Sequence, residues 1–104
     1  MWYSRLGRRV WTALEVTFGA WPVTPGHQAG VVWTTDGWRT ANWTAAVWQR
    51  NVANAYGDYD EVWKVRMFDT SLDPVRFSYA LYVEDAQGVR YWDSNQGWNY
   101  ERIV

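Results

Sequence analysis

His27 is the sole histidine of this 104-residue chain, and it lies in a Pro25-Gly26-His27-Gln28 stretch with no second imidazole to share a metal or relay a proton. No Gly-x-Ser-x-Gly elbow and no Ser-His-Asp order is present, so a relay of the serine-hydrolase kind is not expected. Asp36, Glu84 and Asp93 are carboxylates that could in principle cleave a glycosidic bond. That chemistry needs two acids across a cleft that desolvates the bond, and a domain this short rarely builds one. Asp58-Tyr59-Asp60-Glu61 gathers acidic oxygens but lacks the spacing of a calcium loop, and reads as a solvated loop entering a strand. Asn42-Trp43-Thr44 fits the N-glycosylation pattern, which matters only in a secreted eukaryotic chain. No catalytic residue, metal site or cofactor is expected.

The aromatic residues carry more information. Ten residues are tryptophan, seven of them from Trp33 to Trp98, and the chain nears its end in Tyr91-Trp92-Asp93-Ser94-Asn95-Gln96-Gly97-Trp98-Asn99-Tyr100. A domain of this size cannot easily bury ten indoles, each of which needs a partner for its N–H. Exposed rings flanked by Asn, Asp and Gln suit a flat, hydroxyl-rich ligand. The ring covers the apolar C–H face of a pyranose, and the short polar side chains satisfy its rim of hydroxyls. Trp38 follows an Asp36-Gly37 turn, where burial is difficult. Trp92 leads into a segment dense in amide and carboxylate groups, and Trp98 follows Gly97 in that region. Trp11, Trp63 and Tyr79 belong to strand faces and read as core or neutral.

The elements that position these residues are strands. Val10, Thr12, Leu14, Val16 and Phe18 share one face of a half-buried strand. Gly19 to Gly30 reads as a long connection, Gly30 to Thr34 as a short strand, and Thr35 to Trp38 as a turn. Asn42 to Trp48 is the third strand, Asn51 to Asp60 a loop, and Glu61 to Met67 a strand with Trp63, Val65 and Met67 on one side. Asp69 to Pro74 is a turn-rich connection. In Arg76 to Glu84, Phe77, Tyr79, Leu81 and Val83 oppose Ser78, Ala80, Tyr82 and Glu84. Asp85 to Gly88 turns the chain into Val89 to Trp92, and Trp98 to Val104 supplies a last strand. The pattern predicts one all-β domain over 1–104, an immunoglobulin-like antiparallel β-sandwich of about seven to eight strands.

Composition narrows the partners. Ten Lys and Arg, nine of them Arg, face eleven Asp and Glu, a balance that gives no reason to expect nucleic acid or an anionic membrane. Cysteine is absent, which excludes disulfides and thiolate metal sites. The opening Met1-Trp2-Tyr3-Ser4-Arg5 lacks the apolar core of a signal peptide, so the expectation is either a protein that stays in the cell or a module excised from a secreted chain.

Two segments resemble carbohydrate-binding module family 21. Val32-Trp33-Thr34-Thr35-Asp36-Gly37-Trp38-Arg39-Thr40 is similar to that family's V-x-Y-T-x-D-x-W-x-T segment. Phe77 through Tyr100 is similar to its closing F-x-x-x-Y-x-V…G-x-x-Y-W-D-N-N-x-x-x-N-Y. Ser94 stands where the family has the first Asn after Asp, and a second family site near the domain start has no clear counterpart. The resemblance, over about Val31 to Tyr100, implies a non-catalytic module that binds α-1,4-glucan: starch, glycogen or maltooligosaccharides. It allows a tethered glycoside hydrolase in the native chain. Trp38 and Trp92 are expected to stack on glucose rings from two loops converging at one sandwich edge. Asp93, Asn95 and Gln96 would bond hydroxyls, and Tyr91, Tyr82 and Trp98 would add contacts. Either Tyr79 or Tyr82 corresponds to the family's strand tyrosine, and alternation makes Tyr82 the outward one. The alternatives are a protein-interaction or adhesion sandwich with an aromatic hot spot, or a module for a straighter polysaccharide such as a β-glucan or xylan.

Overall fold

Alternating patterns of this kind bury one face of each strand, and two sheets facing each other satisfy all of them. The computed structural model describes residues 2–3, 9–21, 23–70 and 74–104, and it is all-β. Its strands are β1 (Trp2–Tyr3), β2 (Arg9–Ala20), β3 (Gln28–Thr34), β4 (Asn42–Ala45), β5 (Val47–Ala53), β6 (Tyr59–Asp69), β7 (Arg76–Glu84), β8 (Arg90–Asp93) and β9 (Tyr100–Ile103). One antiparallel sheet runs β1-β2-β6-β5, and the second runs β4-β3-β7-β8, with β9 also pairing β7. The result is an antiparallel β-sandwich.

The predicted faces meet in the core. Thr12 and Ala20 of β2 are buried, and Leu14, Val16 and Phe18 pack on the core from the same face. Trp63, Val65 and Met67 of β6 lie beside Phe18, Val16 and Leu14 on the same face of that sheet, and Val31, Trp33, Phe77 and Leu81 complete the core from the other sheet. Complete burial of a side chain such as Phe77 or Met67 contributes about 1.5–3 kcal/mol. Trp33 lies 5.8 Å from Phe77, and its Nε1 donates to Thr44 Oγ1 at 2.9 Å, so the indole is buried with its polar atom satisfied. The side chain of Trp11 and residues 71–73 of the Asp69 to Pro74 connection lie outside the described residues.

Among the described residues nine segments stand where seven to eight strands are expected, because β1 is added and the path from Asn42 is interrupted; β8–β9 is a second interrupted path. The path from Asn42 continues to Ala53, breaking at Ala46, whose N–H donates to the Ala29 carbonyl at 2.8 Å. There the chain leaves β3 and joins β6, which closes one side of the sandwich. The second path is β8–β9. Residues 90–93 pair with the last four residues of β7 and residues 100–103 with its first four, along the edge opposite β3. Residues 94–99 form an excursion from one edge strand.

Two boundaries differ from the sequence pattern. β2 runs on to Ala20 and β3 starts at Gln28, which shortens the long connection. The loop read at Asn51 to Asp60 narrows to 54–58, because Asn51, Val52 and Ala53 pair with Glu61, Asp60 and Tyr59. An edge hairpin facing solvent carries polar residues, and its composition is that of a loop.

Candidate functional site

Strand register gathers three aromatic side chains on the outer face of the second sheet. Tyr82 of β7 pairs with Trp92 of β8 on one side and with Gly30 of β3 on the other. Gly30 has no side chain to fill the space above it, and the Tyr82 phenol takes that space. A Cβ at Gly30 would lie 2.5 Å from the Tyr82 hydroxyl oxygen and 2.7 Å from the Thr44 carbonyl oxygen. Trp43 of β4, opposite Val32, completes the group. Ring centroids are 5.8 Å apart for Trp43–Tyr82, 5.8 Å for Trp43–Trp92 and 5.3 Å for Tyr82–Trp92, with interplanar angles of 60°, 71° and 50°. The three rings form an angled platform. Trp43 and Trp92 remain 54% and 48% exposed. The Arg90 guanidinium lies 5.1 Å from the centroids of both Trp43 and Tyr82, and its Nε donates to Glu84 Oε1 at 3.2 Å.

Trp38 is held differently. Gly37 and Trp38 have φ of 71° and 70°, a conformation that is costly for a bulky residue and needs support from its surroundings. Asp36 supplies that support. Its carboxylate accepts from Thr34 Oγ1 (2.7 Å), Thr40 Oγ1 (2.6 Å) and the Thr40 N–H (3.0 Å), and Thr34 Oγ1 accepts from the N–H groups of Asp36 and Trp38. The spaced residues Thr34, Asp36, Trp38 and Thr40 thus form one network. Bonds from Thr40, then Thr34, hold the Asp36 carboxyl down at about 2, so it carries charge and not a transferable proton near neutrality.

The 94–99 excursion is equally constrained. Asn95, Gln96 and Gly97 have φ of 53°, 59° and 90° in succession, and Asn99 has 61°. Three successive left-handed residues are uncommon, because each non-glycine one costs about 1–2 kcal/mol. The turn is closed by Gly97 N–H to Ser94 O (3.2 Å), Trp98 N–H to Asn95 O (3.2 Å) and Asn99 N–H to Ser94 O (2.7 Å). Asp93 anchors it, accepting from the Asn95 N–H at 3.2 Å and from the Tyr100 hydroxyl at 2.8 and 2.9 Å. The Asp93 carboxylate in turn pushes the Tyr100 phenol up. Trp98 stands at the tip, 83% exposed.

The structure therefore divides the residues that the sequence grouped. Trp92 and Tyr82 meet on the platform. Tyr79 points the other way, half-buried and stacked on Tyr100 at 5.4 Å and 25°, and burial pushes its phenol up. Tyr91, adjacent to Trp92 on β8, takes the opposite face of the sheet, and its hydroxyl donates to Asp85 Oδ2 at 3.2 Å. Trp38 does not join Trp92. Its turn follows Thr34, which pairs with Ser78, four residues along β7 from Tyr82 or about 13 Å at strand rise. The 94–99 excursion leaves the sheet edge between those two levels.

Trp43 was missed by sequence reasoning, since only the β4–β3–β7–β8 order brings it beside Tyr82. The remaining candidates hold the fold together. His27 Nδ1 lies 2.8 Å from Glu61 Oε1, and Glu61 also accepts from Trp63 Nε1 and the Thr24 N–H. Asp58 accepts from Trp21 Nε1 and Asp60 from Asn54 Nδ2, so the acidic run is spread among separate partners. Among the described residues no three His, Asp or Glu side chains are grouped to hold a metal. Compared with models of known protein families and with curated proteins, the chain matches none.

Proposed function

We propose that this chain is a non-catalytic carbohydrate-binding module for an α-1,4-glucan, of the kind its motifs resemble in family 21. The observation that carries the reading is the angle between the platform rings. Trp43, Tyr82 and Trp92 are exposed in part yet inclined by 50° to 71° to one another. A straight β-linked chain stacks on coplanar rings in a line, whereas a curved α-linked chain presents successive sugar faces at an angle. The platform is the primary contact. Trp38 and the Asn95, Gln96 and Trp98 excursion lie farther along the sheet and add contacts to longer chains.

Each stacked ring contributes on the order of 1 kcal/mol. A single site of two or three rings is therefore weak, with Kd in roughly the micromolar to millimolar range. Affinity electrophoresis against soluble starch, glycogen, a mixed β-glucan and xylan tests the reading. Retardation by starch and glycogen is expected, with loss in Trp92→Ala. Retardation by β-glucan or xylan alone assigns the platform to a straighter polysaccharide. Retardation by none of them favours a protein-interaction surface.

A further inference from the structure

The sandwich is closed on one side by the β4–β5 path and open on the other, between β2 and β8. A cleft of about 610 Å³ occupies that open side, within the size range of small-molecule sites. Phe18, Leu81 and Val83 contribute its apolar wall, and Trp21 and Tyr91 stand beside it from opposite sheets, both well exposed. Both rings are fixed by carboxylates: Trp21 Nε1 donates to Asp58 Oδ2 at 3.3 Å, and the Tyr91 hydroxyl donates to Asp85 Oδ2 at 3.2 Å.

The chemistry of this cleft differs from that of a sugar site. Its principal polar atoms already have partners within the chain. The Trp21 and Tyr91 donors are engaged, His27 is paired with Glu61, Asp85 accepts from the Gln87 and Val89 N–H groups, and Asp93 accepts from Tyr100. Besides the Thr24 hydroxyl and the Gln87 amide, what remains available is aromatic face, apolar wall and negative charge. Asp85 and Asp93 line the cleft, and among the described residues no Lys or Arg does. Bonds from the Val89 N–H and its neighbours hold Asp85 below the usual carboxylate range, so it is ionised near neutrality. A ligand suited to these surroundings carries positive charge, has an apolar shell and requires no directional hydrogen bonds. A quaternary ammonium ion has all three properties, and aromatic faces attract it through the ring quadrupole.

We propose that the cleft between β2 and β8, which Tyr82 and Trp92 of the platform also line, binds a small quaternary ammonium ion. The test is a titration of the protein with choline, followed by tryptophan fluorescence and by NMR line broadening of the N-methyl protons. The neutral isostere 3,3-dimethyl-1-butanol is titrated in parallel at matched ionic strength. Saturable choline binding is expected, about tenfold tighter than that of the isostere. Trp21→Ala and Tyr91→Ala should each weaken it about fivefold. Tyr91→Phe, which keeps the ring and loses only the bond to Asp85, should bind nearly as wild type and guards against a folding artefact. Trp43→Ala should leave choline binding intact.

Several results would overturn the proposal. Choline that does not bind, or binds no better than its isostere, removes the cation. Wild-type binding in both Trp21→Ala and Tyr91→Ala removes the cleft, and loss in Trp43→Ala moves the ion to the platform. Displacement of choline by maltoheptaose in the Trp43→Ala variant makes the cleft a sugar subsite. A failure of glucan binding leaves this proposal standing, because the two ligands are read out separately.

Discussion

Trp43, Tyr82 and Trp92 stand on regular strands, whereas Trp38 and Trp98 are carried by turns rich in left-handed backbone. In the first region, geometry comes from sheet register and from the missing side chain of Gly30. In the second it comes from carboxylates, Asp36 and Asp93, that tie hydroxyls and N–H groups around the turn. The two regions should therefore fail differently. The platform is lost by removing a ring or by crowding Tyr82, and it is insensitive to pH. The turns are lost when their carboxylate is removed, the Asp36 turn also when that carboxyl is protonated, and part of the strain of the turns is recoverable by glycine.

The largest effect is expected at the platform. Trp43→Ala and Trp92→Ala should each lower affinity for maltoheptaose about tenfold, since each removes a stacking face. Both rings are half exposed, so the melting temperature should change little, and a paired measurement of heat of binding and Tm checks the separation. Next is Gly30→Ala. Its Cβ meets a backbone oxygen as well as the Tyr82 hydroxyl, so the backbone has to shift. A stability loss of about 1–3 kcal/mol is expected, with weakened glucan binding. Unchanged urea unfolding would show that Tyr82 does not lie over Gly30.

Trp38→Ala should have a smaller, length-dependent effect: little change for maltotriose, and weaker retention on glycogen. Equal losses for both ligands would place Trp38 in contact with the platform sugar. The Asp36 network gives a pH signature. Its folded carboxyl titrates at about 2 against an ordinary 3.8, so its contribution to stability is complete above 3.8 and is lost as pH falls from there to about 2. The Tm difference between wild type and Asp36→Asn should close across that window, and a difference constant with pH would contradict the assignment. The smallest effect is Gln96→Gly, which removes a side chain from a left-handed position. It should stabilise the protein by about 0.5–1 kcal/mol in urea unfolding.

These predictions also mark what a sequence can show. The bounds of Arg76 to Glu84 are as the pattern predicts, and so are its faces, with Phe77, Tyr79 and Leu81 toward the core and Tyr82 on the outer side. The Asp85–Gly88 turn fixes the hairpin count, so the pairing of Tyr82 with Trp92 was within reach. Trp43 was not, because it joins them across β3, and no local pattern sets the order of non-neighbouring strands. The same limit led Trp38 and Trp92 to be expected at one edge, when the register sets them apart along β7. The left-handed run at Asn95, Gln96 and Gly97 was hidden for a different reason. Gln is an ordinary residue in other conformations, and its φ is imposed by the closing bonds to Ser94 and Asn95. The β8–β9 interruption likewise reads as two strands and a loop, although it is one sheet edge.

The most direct test of the platform is a calorimetric comparison of maltoheptaose with cellohexaose, on the wild-type chain and on Trp92→Ala. Saturable heat is expected with maltoheptaose alone, and it should be lost in the variant. Equal binding of cellohexaose, or undiminished binding of maltoheptaose by Trp92→Ala, would contradict an angled aromatic platform for a curved glucan.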